Sequence, residues 1–420
     1  MWEAASVAVT DTFDVTRIRT RFPALARPGP DGRPCVWADA PGGSQMVDTA
    51  IEAVAARMRA GASNTHGVFP VSEEIDALIA DARRAGADLL GCDADEIVFG
   101  QNTTSLLLHL SRSIARTWGP GDEIVVTKLD HDANVRPWVL AAGDAGATVR
   151  WVDVREDDVT VDLDDMARAI GPQTKFVACT LASNAVGTMP PAAEVVALAK
   201  QVGALVALDG VHLAQHRSID LHRLGADLVA TSPYKYFGPH QGMAAVRADL
   251  LASLEPYKLR AAPDEDPDRW ESGTQSHEAL AGTVAAIDYI AEVGGGGDRR
   301  AAIRRGYDAF EAHEEALARR FLDGVATIPG VRLIGISDPT RVHERTPTFA
   351  VRVRDQHPIE TSRRLGERGI FTWEGHYYAI EVFERLGLLG SGGALRIGFC
   401  HYHAADEVDR VLEGLADLAR

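Results

Sequence analysis

"DLVATSPYKYFGPHQGMAAVR", residues 227–247, joins two short apolar runs through Ser232-Pro233-Tyr234, a lysine at position 235, and a turn built on Gly238, Pro239 and Gly242. Apolar runs bounded by Gly, Pro and Ser read as buried strands, which places Lys235 just beyond a strand's carboxyl end. Open α/β sheets hold their ligands at that edge. The chain uses lysine sparingly, since Lys128, Lys175, Lys200, Lys235 and Lys258 are the only lysines among 43 basic residues. A primary amine bonds covalently to a carbonyl carbon and a guanidinium does not, so a lysine kept here has a chemical use. An ordinary solvated loop lysine is the competing reading, and the neighbours decide between the two.

Residues 45–250 alternate helical periodicity with brief β-rich runs, as in "EEIDALIADARRAGADLL" before "DEIVFG" and "AAEVVALAKQVG" before "ALVALDG". The runs "EIVVTKLDH", "TVRWVDV", "KFVACTLASN", "ALVALDGVH", "ADLVATS" and "MAAVR" are mostly continuous and not alternating. Such runs belong to strands covered by helices on both faces, which predicts an α/β fold with a mainly parallel sheet of about seven strands. Gly294 to Gly297 then stop the helical run "HEALAGTVAAIDYIAEV". Beyond them a long helix, two strands, a helix, a strand and a terminal helix predict a smaller α+β unit. The expected organisation is an N-terminal segment 1–24 packed on the small unit, a large domain 25–293, and a small C-terminal domain 298–420.

Composition narrows the function. With 420 residues, 46% of them hydrophobic, the chain buries a large core, and its formal charge of −17 without any basic stripe argues against nucleic-acid or anionic-membrane partners. Cys35, Cys92, Cys179 and Cys400 are far apart and form no CxxC pair, so neither a disulfide framework nor a metal site is expected. The opening stretch "MWEAASVAVTDTFDVTRIRTRF" is acidic and lacks a sustained apolar run, so a cytoplasmic protein without a secretory leader or membrane span is expected. No GxxxxGK[ST] motif supports a nucleotide-binding reading.

Residues just past the other apolar runs add to Lys235. "FGQNTTSLLLHL" opens a helix with Asn102, Thr103, Thr104 and Ser105, whose hydroxyls and N-terminal amides suit a phosphate as well as an ordinary cap. His131 offers a flat ring, Asn184 an amide, and Asp209 a carboxylate that is unfavourable at the end of an apolar strand unless paired. An amine for an aldehyde, an anion for a ring nitrogen, a stacking ring, a donor for a phenolic oxygen and a phosphate cradle together describe pyridoxal 5'-phosphate.

On these residues the sequence resembles the class V, fold-type I pyridoxal-phosphate family, and within it the cysteine desulfurase-like proteins of the group-II branch. The likeness rests on "ADAPGGSQ", "FGQNTTS", "DHDAN", "SNAVGT", "DGVH", "TSPYKYFGPHQG", "WESGTQ", "GIFTWEGHYYA" and "LRIGFCHY", which run in family order over nearly the whole chain. The resemblance implies that Lys235 holds the cofactor aldehyde, Asp209 pairs with the ring nitrogen, and His131 stacks on the ring. Asn184 is implied near the phenolic oxygen and the substrate carboxylate. Thr104, Ser105, Ser232 and Tyr234 are implied at the phosphate, with Thr274 reaching it from the second subunit of a homodimer. Arg396 is implied as the clamp on an amino-acid carboxylate.

Two positions depart from the family pattern. His212 stands where desulfurases have glutamine, and it is expected to donate to the phenolic oxygen. The loop that carries the persulfide-forming cysteine reads here as Trp373, Glu374, Gly375, His376, Tyr377 and Tyr378, with Tyr378 at the cysteine's position. A phenol cannot attack and carry sulfur as a thiolate does. The expectation is a pyridoxal-phosphate enzyme acting on a small amino acid by carbon–sulfur β-elimination without a persulfide relay, with Lys235, His131 and Tyr378 as its catalytic residues. An aminotransferase or epimerase is the alternative, and a catalytically silent binding protein is the alternative of another class. Cys400 is the one substitute thiol weighed.

Overall fold

The computed structural model describes residues 13–420, so the first half of the expected N-terminal segment lies outside the described residues. Seven strands form the main sheet: β1 (Ile97–Gly100), β2 (Glu123–Thr127), β3 (Thr148–Val152), β4 (Thr174–Thr180), β5 (Leu205–Asp209), β6 (Leu228–Thr231) and β7 (Gly242–Val246), in the order β1-β7-β6-β5-β4-β2-β3. Only β7 runs antiparallel to its neighbours, β1 and β6. The remaining pairings, β2 with β3 and β4, β4 with β5, and β5 with β6, are parallel.

The continuous apolar runs have a simple cause. Successive side chains of a strand point to opposite faces, and here both faces are dry. Val177, Cys179, Val206, Leu208, Val229 and Met243 enter one core with the helices Pro70–Leu90, Ala192–Gln201 and His277–Val293. Phe176, Ala178, Ala207, Leu228, Ala230 and Ala244 enter a second core with the helices Thr103–Ile114 and Arg136–Ala145. Each fully buried Val, Leu, Ile or Phe in these layers contributes about 1.5–3 kcal/mol. The strand "TVRWVDV" differs from its expectation of two covered faces. As β3 it is the sheet's edge, Thr148, Arg150 and Trp151 are exposed, and Arg150 pairs with Glu123 of β2. A charged edge discourages pairing with another chain.

The helix His277–Val293 ends at Gly294, where a Cβ would lie 1.9 Å from the Ala302 carbonyl oxygen. Gly295, Gly296 and Gly297 follow with φ of 85°, 67° and 90°, a left-handed path that returns the chain into the long helix Arg299–Ala326. That helix and Ala405–Leu418 cover one face of an antiparallel sheet of β8 (Val331–Ile334), β9 (Thr348–Val353), β10 (Trp373–Gly375) and β11 (Ala394–Gly398), in the order β10-β11-β9-β8. Phe321, Phe349, Val351, Leu395, Ile397, Val411 and Leu415 form its core.

The described part of the N-terminal segment docks on this second unit through Arg19, which binds Glu407 and the Tyr402 carbonyl. The contact continues past residue 25. Val36 pairs with Ile370 and Asp39 bridges to Gly398 before the chain turns at Ala40–Gly42 toward the main sheet. This crossing carries Asp39 and Pro41 to the carboxyl edge of the parallel strands. Among the described residues, no helix is long and apolar enough to cross a membrane.

Candidate active site

A cavity of about 780 Å³ opens at that edge. Lys235 enters it from the turn after β6, and its Nζ donates to the Pro41 carbonyl and lies 4.9 Å from the centre of the Tyr234 ring. Burial, with the positive charge of Arg396 beside it, brings the Lys235 amine down to about 7, against the pull of Asp39 and Asp209. A buried lysine so placed has a large neutral fraction near neutral pH, and that fraction is a nucleophile or base.

Asp209 ends β5 in the same cavity. Its Oδ1 accepts from the Val211 amide at 2.8 Å, and burial raises its carboxyl to about 6 despite that bond and Lys235. A cationic ring nitrogen would hold it ionised. His131 follows β2 and takes the Ala133 amide on Nδ1 at 3.0 Å, which leaves the proton of the neutral ring on Nε2. Burial, then the charges of Lys235 and Arg396, lowers this imidazole to about 4. Its loop is pinned by Asp130, which accepts from Thr127 and from Asn134 Nδ2. The Tyr378 ring stacks on His131, with centroids 5.4 Å apart and planes at 25°.

Asn184, after β4, donates from Nδ2 to the Tyr377 carbonyl at 2.9 Å, while its Oδ1 is buried without a partner. Arg396, on β11, donates from Nη1 to the Asn184 carbonyl at 3.1 Å and from Nη2 to Asp39 Oδ1 at 2.9 Å, over the Tyr377 ring. Its Nε is buried without a partner. His212 lines the cavity with Nε2 against the hydroxyls of Thr346 and Thr348, and its Nδ1 is also buried and unpartnered.

At the expected phosphate end, Asn102, Thr103, Thr104, Ser232 and Tyr234 line the cavity. Asn102 caps the helix Thr103–Ile114 by accepting the Ser105 amide at 2.9 Å, and the Thr103 and Thr104 amides before it are open to an anion. The Thr103 hydroxyl is 2.7 Å from that of Ser232. Ser105 is placed elsewhere: its hydroxyl closes the cap on the Asn102 backbone and it is not among the cavity-lining residues. Thr274 is exposed and does not line the cavity of its own chain.

Several contributors were not singled out by the sequence reading. Asp39 and Pro41 lie in the quoted "ADAPGGSQ", where an acid beside two small residues is the available signal. Thr346 and Thr348 carry no local signal, because their partner His212 is more than a hundred positions away. Arg136 and Leu140 also line the mouth, beside Trp373 and Tyr378 of the loop singled out from sequence, and Leu140, Trp373 and Tyr378 are 44%, 55% and 65% exposed.

The sequence profile described as Aminotransferase class-V matches residues 36–411. Among curated relatives, probable cysteine desulfurase 2 of Mycobacterium leprae and a probable cysteine desulfurase of Streptomyces coelicolor are each 31% identical, with 96% of both chains covered. An aminotransferase-like protein, FGM3, of Gibberella zeae is 27% identical over 97% of this chain and 98% of its own. The apo cysteine desulfurase of Thermococcus onnurineus superposes with a TM-score of 0.84 at 25% identity, covering 95% of this chain and 98% of that one.

Proposed function

The chain belongs to the class-V aminotransferase family, and from that premise we propose that it is a pyridoxal-phosphate lyase that releases a thiol from Cβ of a cysteine-type amino acid and carries no sulfur on a cysteine of its own. The observation that carries the second half is the state of its thiols. Cys35, Cys92, Cys179 and Cys400 are all buried, and none lines the cavity. Burial pushes the Cys179 and Cys400 thiols well above their ordinary values, so both stay protonated and unreactive. Residues 371–380 contain no cysteine.

The residues present fit the cofactor. Asp209 would pair with its ring nitrogen, His131 would cover its ring, and the N-terminus of the helix Thr103–Ile114 with Ser232 and Tyr234 would hold its phosphate. The buried, unpartnered Asn184 Oδ1 and His212 Nδ1 are polar atoms awaiting a ligand. When bound, pyridoxal phosphate supplies an electron sink for charge developing at Cα.

The chain's own groups do the rest. Lys235 holds the cofactor and then moves the Cα proton, for which an amine near 7 is well matched. Arg396, oriented by Asp39 and Tyr377, receives the α-carboxylate. His131 stays neutral and presents its ring face. Leu140, Trp373 and Tyr378 give the mouth room for a substituent on sulfur, which supports a thioether over free cysteine as substrate. The stoichiometry is one thioether and one water giving one thiol, one pyruvate and one ammonium. We assign the second subunit of a homodimer the contribution of Thr274, whose exposed position leaves it free for a neighbouring site.

The likeness to an aminotransferase-like protein favours one competing reading, in which the amino group passes to a 2-oxo acid acceptor and no thiol appears. Incubating the purified protein and pyridoxal phosphate with cysteine and S-substituted cysteines, and assaying pyruvate and thiol, separates the two. Equal amounts of both products support elimination. In a parallel incubation with an added 2-oxo acid as acceptor, the amino acid formed from that acceptor without release of thiol supports transfer.

A further inference from the structure

His212 meets the second unit at one nitrogen only. Its Nε2 lies 3.1 Å from Thr346 Oγ1 and 3.0 Å from Thr348 Oγ1, and all three residues are buried. Burial, then the charges of His216, Lys235 and Arg396, holds the imidazole well below its ordinary value, so the ring carries one proton. His216 stands edge-on at 4.9 Å, and Asp209 and Lys235 share the cavity.

Where that proton sits follows from counting donors. Thr346 also lies 3.4 Å from the Gly187 carbonyl, to which it can donate, whereas Thr348 Oγ1 has no other partner among the described residues. A proton on Nε2 leaves two groups unsatisfied, the Thr348 hydroxyl hydrogen and the Nδ1 lone pair. A proton on Nδ1 lets Thr348 donate to Nε2, and then only the Nδ1–H lacks a partner. Buried polar groups pair wherever they can, so the second arrangement prevails.

The threonines are held rigidly in that pose. Arg345 is buried, makes no ion pair among the described residues, and donates to the carbonyls of Ile336, Val186, Thr346 and Thr348. The Thr346 amide returns to the Gly187 carbonyl at 2.9 Å, and Gly187, at φ 81°, has no space for a Cβ, which would lie 2.5 Å from the Thr348 carbonyl oxygen. One clamp therefore ties the Asn184 loop to the hydroxyls that grip His212.

We propose that Thr346 and Thr348, presented by the Arg345 clamp, are positioning residues that fix His212 as the Nδ1–H tautomer, ready to donate to an anionic ligand oxygen in the cavity. That the oxygen is the cofactor's phenolic one rests on the function proposed above.

Ring NMR of histidine-labelled, cofactor-free protein, with His212→Gln to identify the signal, reads the tautomer directly. Nδ1–H in the wild type, with Nε2–H appearing in Thr348→Val but not in Thr348→Ser, is the expected result. In the loaded protein, losing the donor should raise the midpoint of the visible band's pH transition by about one pH unit in Thr348→Val and leave Thr348→Ser unmoved. Nε2–H in the wild type, or an unmoved midpoint in Thr348→Val, overturns the assignment. Failure to take up pyridoxal phosphate would count against the proposed function instead, while the cofactor-free NMR still decides the tautomer.

Discussion

Asp39 and Arg396, 357 positions apart in sequence, meet inside the cavity with Nη2 2.9 Å from Oδ1. The arginine side chain is 5% exposed and the aspartate 22%. Removing one partner of a buried pair strands the other, a loss of about 3–5 kcal/mol when both are fully buried and less here because Asp39 reaches solvent. Asp39→Ala should therefore lower the melting temperature, and a bound amino-acid carboxylate should restore more stability to the variant than it adds to the wild type. Thermal melts with and without a slowly reacting amino acid make the comparison. Equal increments would show that Arg396 does not receive the carboxylate.

Cofactor loading should report the Lys235 amine. Only the neutral amine attacks an aldehyde, and this amine titrates near 7, so the loading rate should fall about tenfold per pH unit below 7 and level off by about pH 8. An unperturbed lysine, near 10.4, would keep the rate climbing beyond pH 9. Stopped-flow loading of the cofactor-free protein from pH 6 to 10 distinguishes the curves, and Lys235→Ala should lack the borohydride-sensitive visible band.

Tyr378 is held at φ 59°, next to Tyr377 at 51°, with its ring on His131 and its carbonyl accepting from Asp132 at 2.7 Å. A thiolate leaves readily, since thiols ionise near 8.5, and needs little help from a general acid. Against the catalytic part expected of Tyr378 from the sequence, Tyr378→Phe should therefore keep kcat within about threefold, whereas Tyr378→Ala, which removes the stacked ring, should raise KM for thioethers about tenfold. A hundredfold fall in kcat for the phenylalanine variant would make the phenol a proton donor.

Much of the fold can be read from the sequence because strands buried on both faces announce themselves as unbroken apolar runs. The edge strand Thr148–Val152 misleads for the same reason, since Val149, Trp151 and Val152 look like core while Thr148 and Arg150 face water. Within the cavity, residues just after strand ends are predictable because parallel topology gathers them at one edge. Helix phase is harder to anticipate: Thr103, Thr104 and Ser105 are equivalent in sequence, yet Thr103 turns to Ser232 and Ser105 closes the cap. Asp39 carries only a faint local signal and Thr346 and Thr348 none, because their partners are set by packing between distant segments.

A thiol-blocking reagent should leave the folded, loaded enzyme active, because all four cysteines are buried. Alkylation followed by activity assay and peptide mapping tests this. Inactivation that substrate prevents would point to a working thiol.

The most direct measurement is the fate of carbon and sulfur in one experiment, with the products of free cysteine and of a cysteine thioether quantified and the intact protein weighed during turnover. Elimination governed by Lys235 and Arg396 predicts pyruvate, ammonium and free thiol in equal amounts, with no added sulfur on the protein. Alanine as the carbon product of free cysteine, together with a turnover-competent persulfide on Cys400 or any other cysteine, would contradict the account and make the protein a true desulfurase.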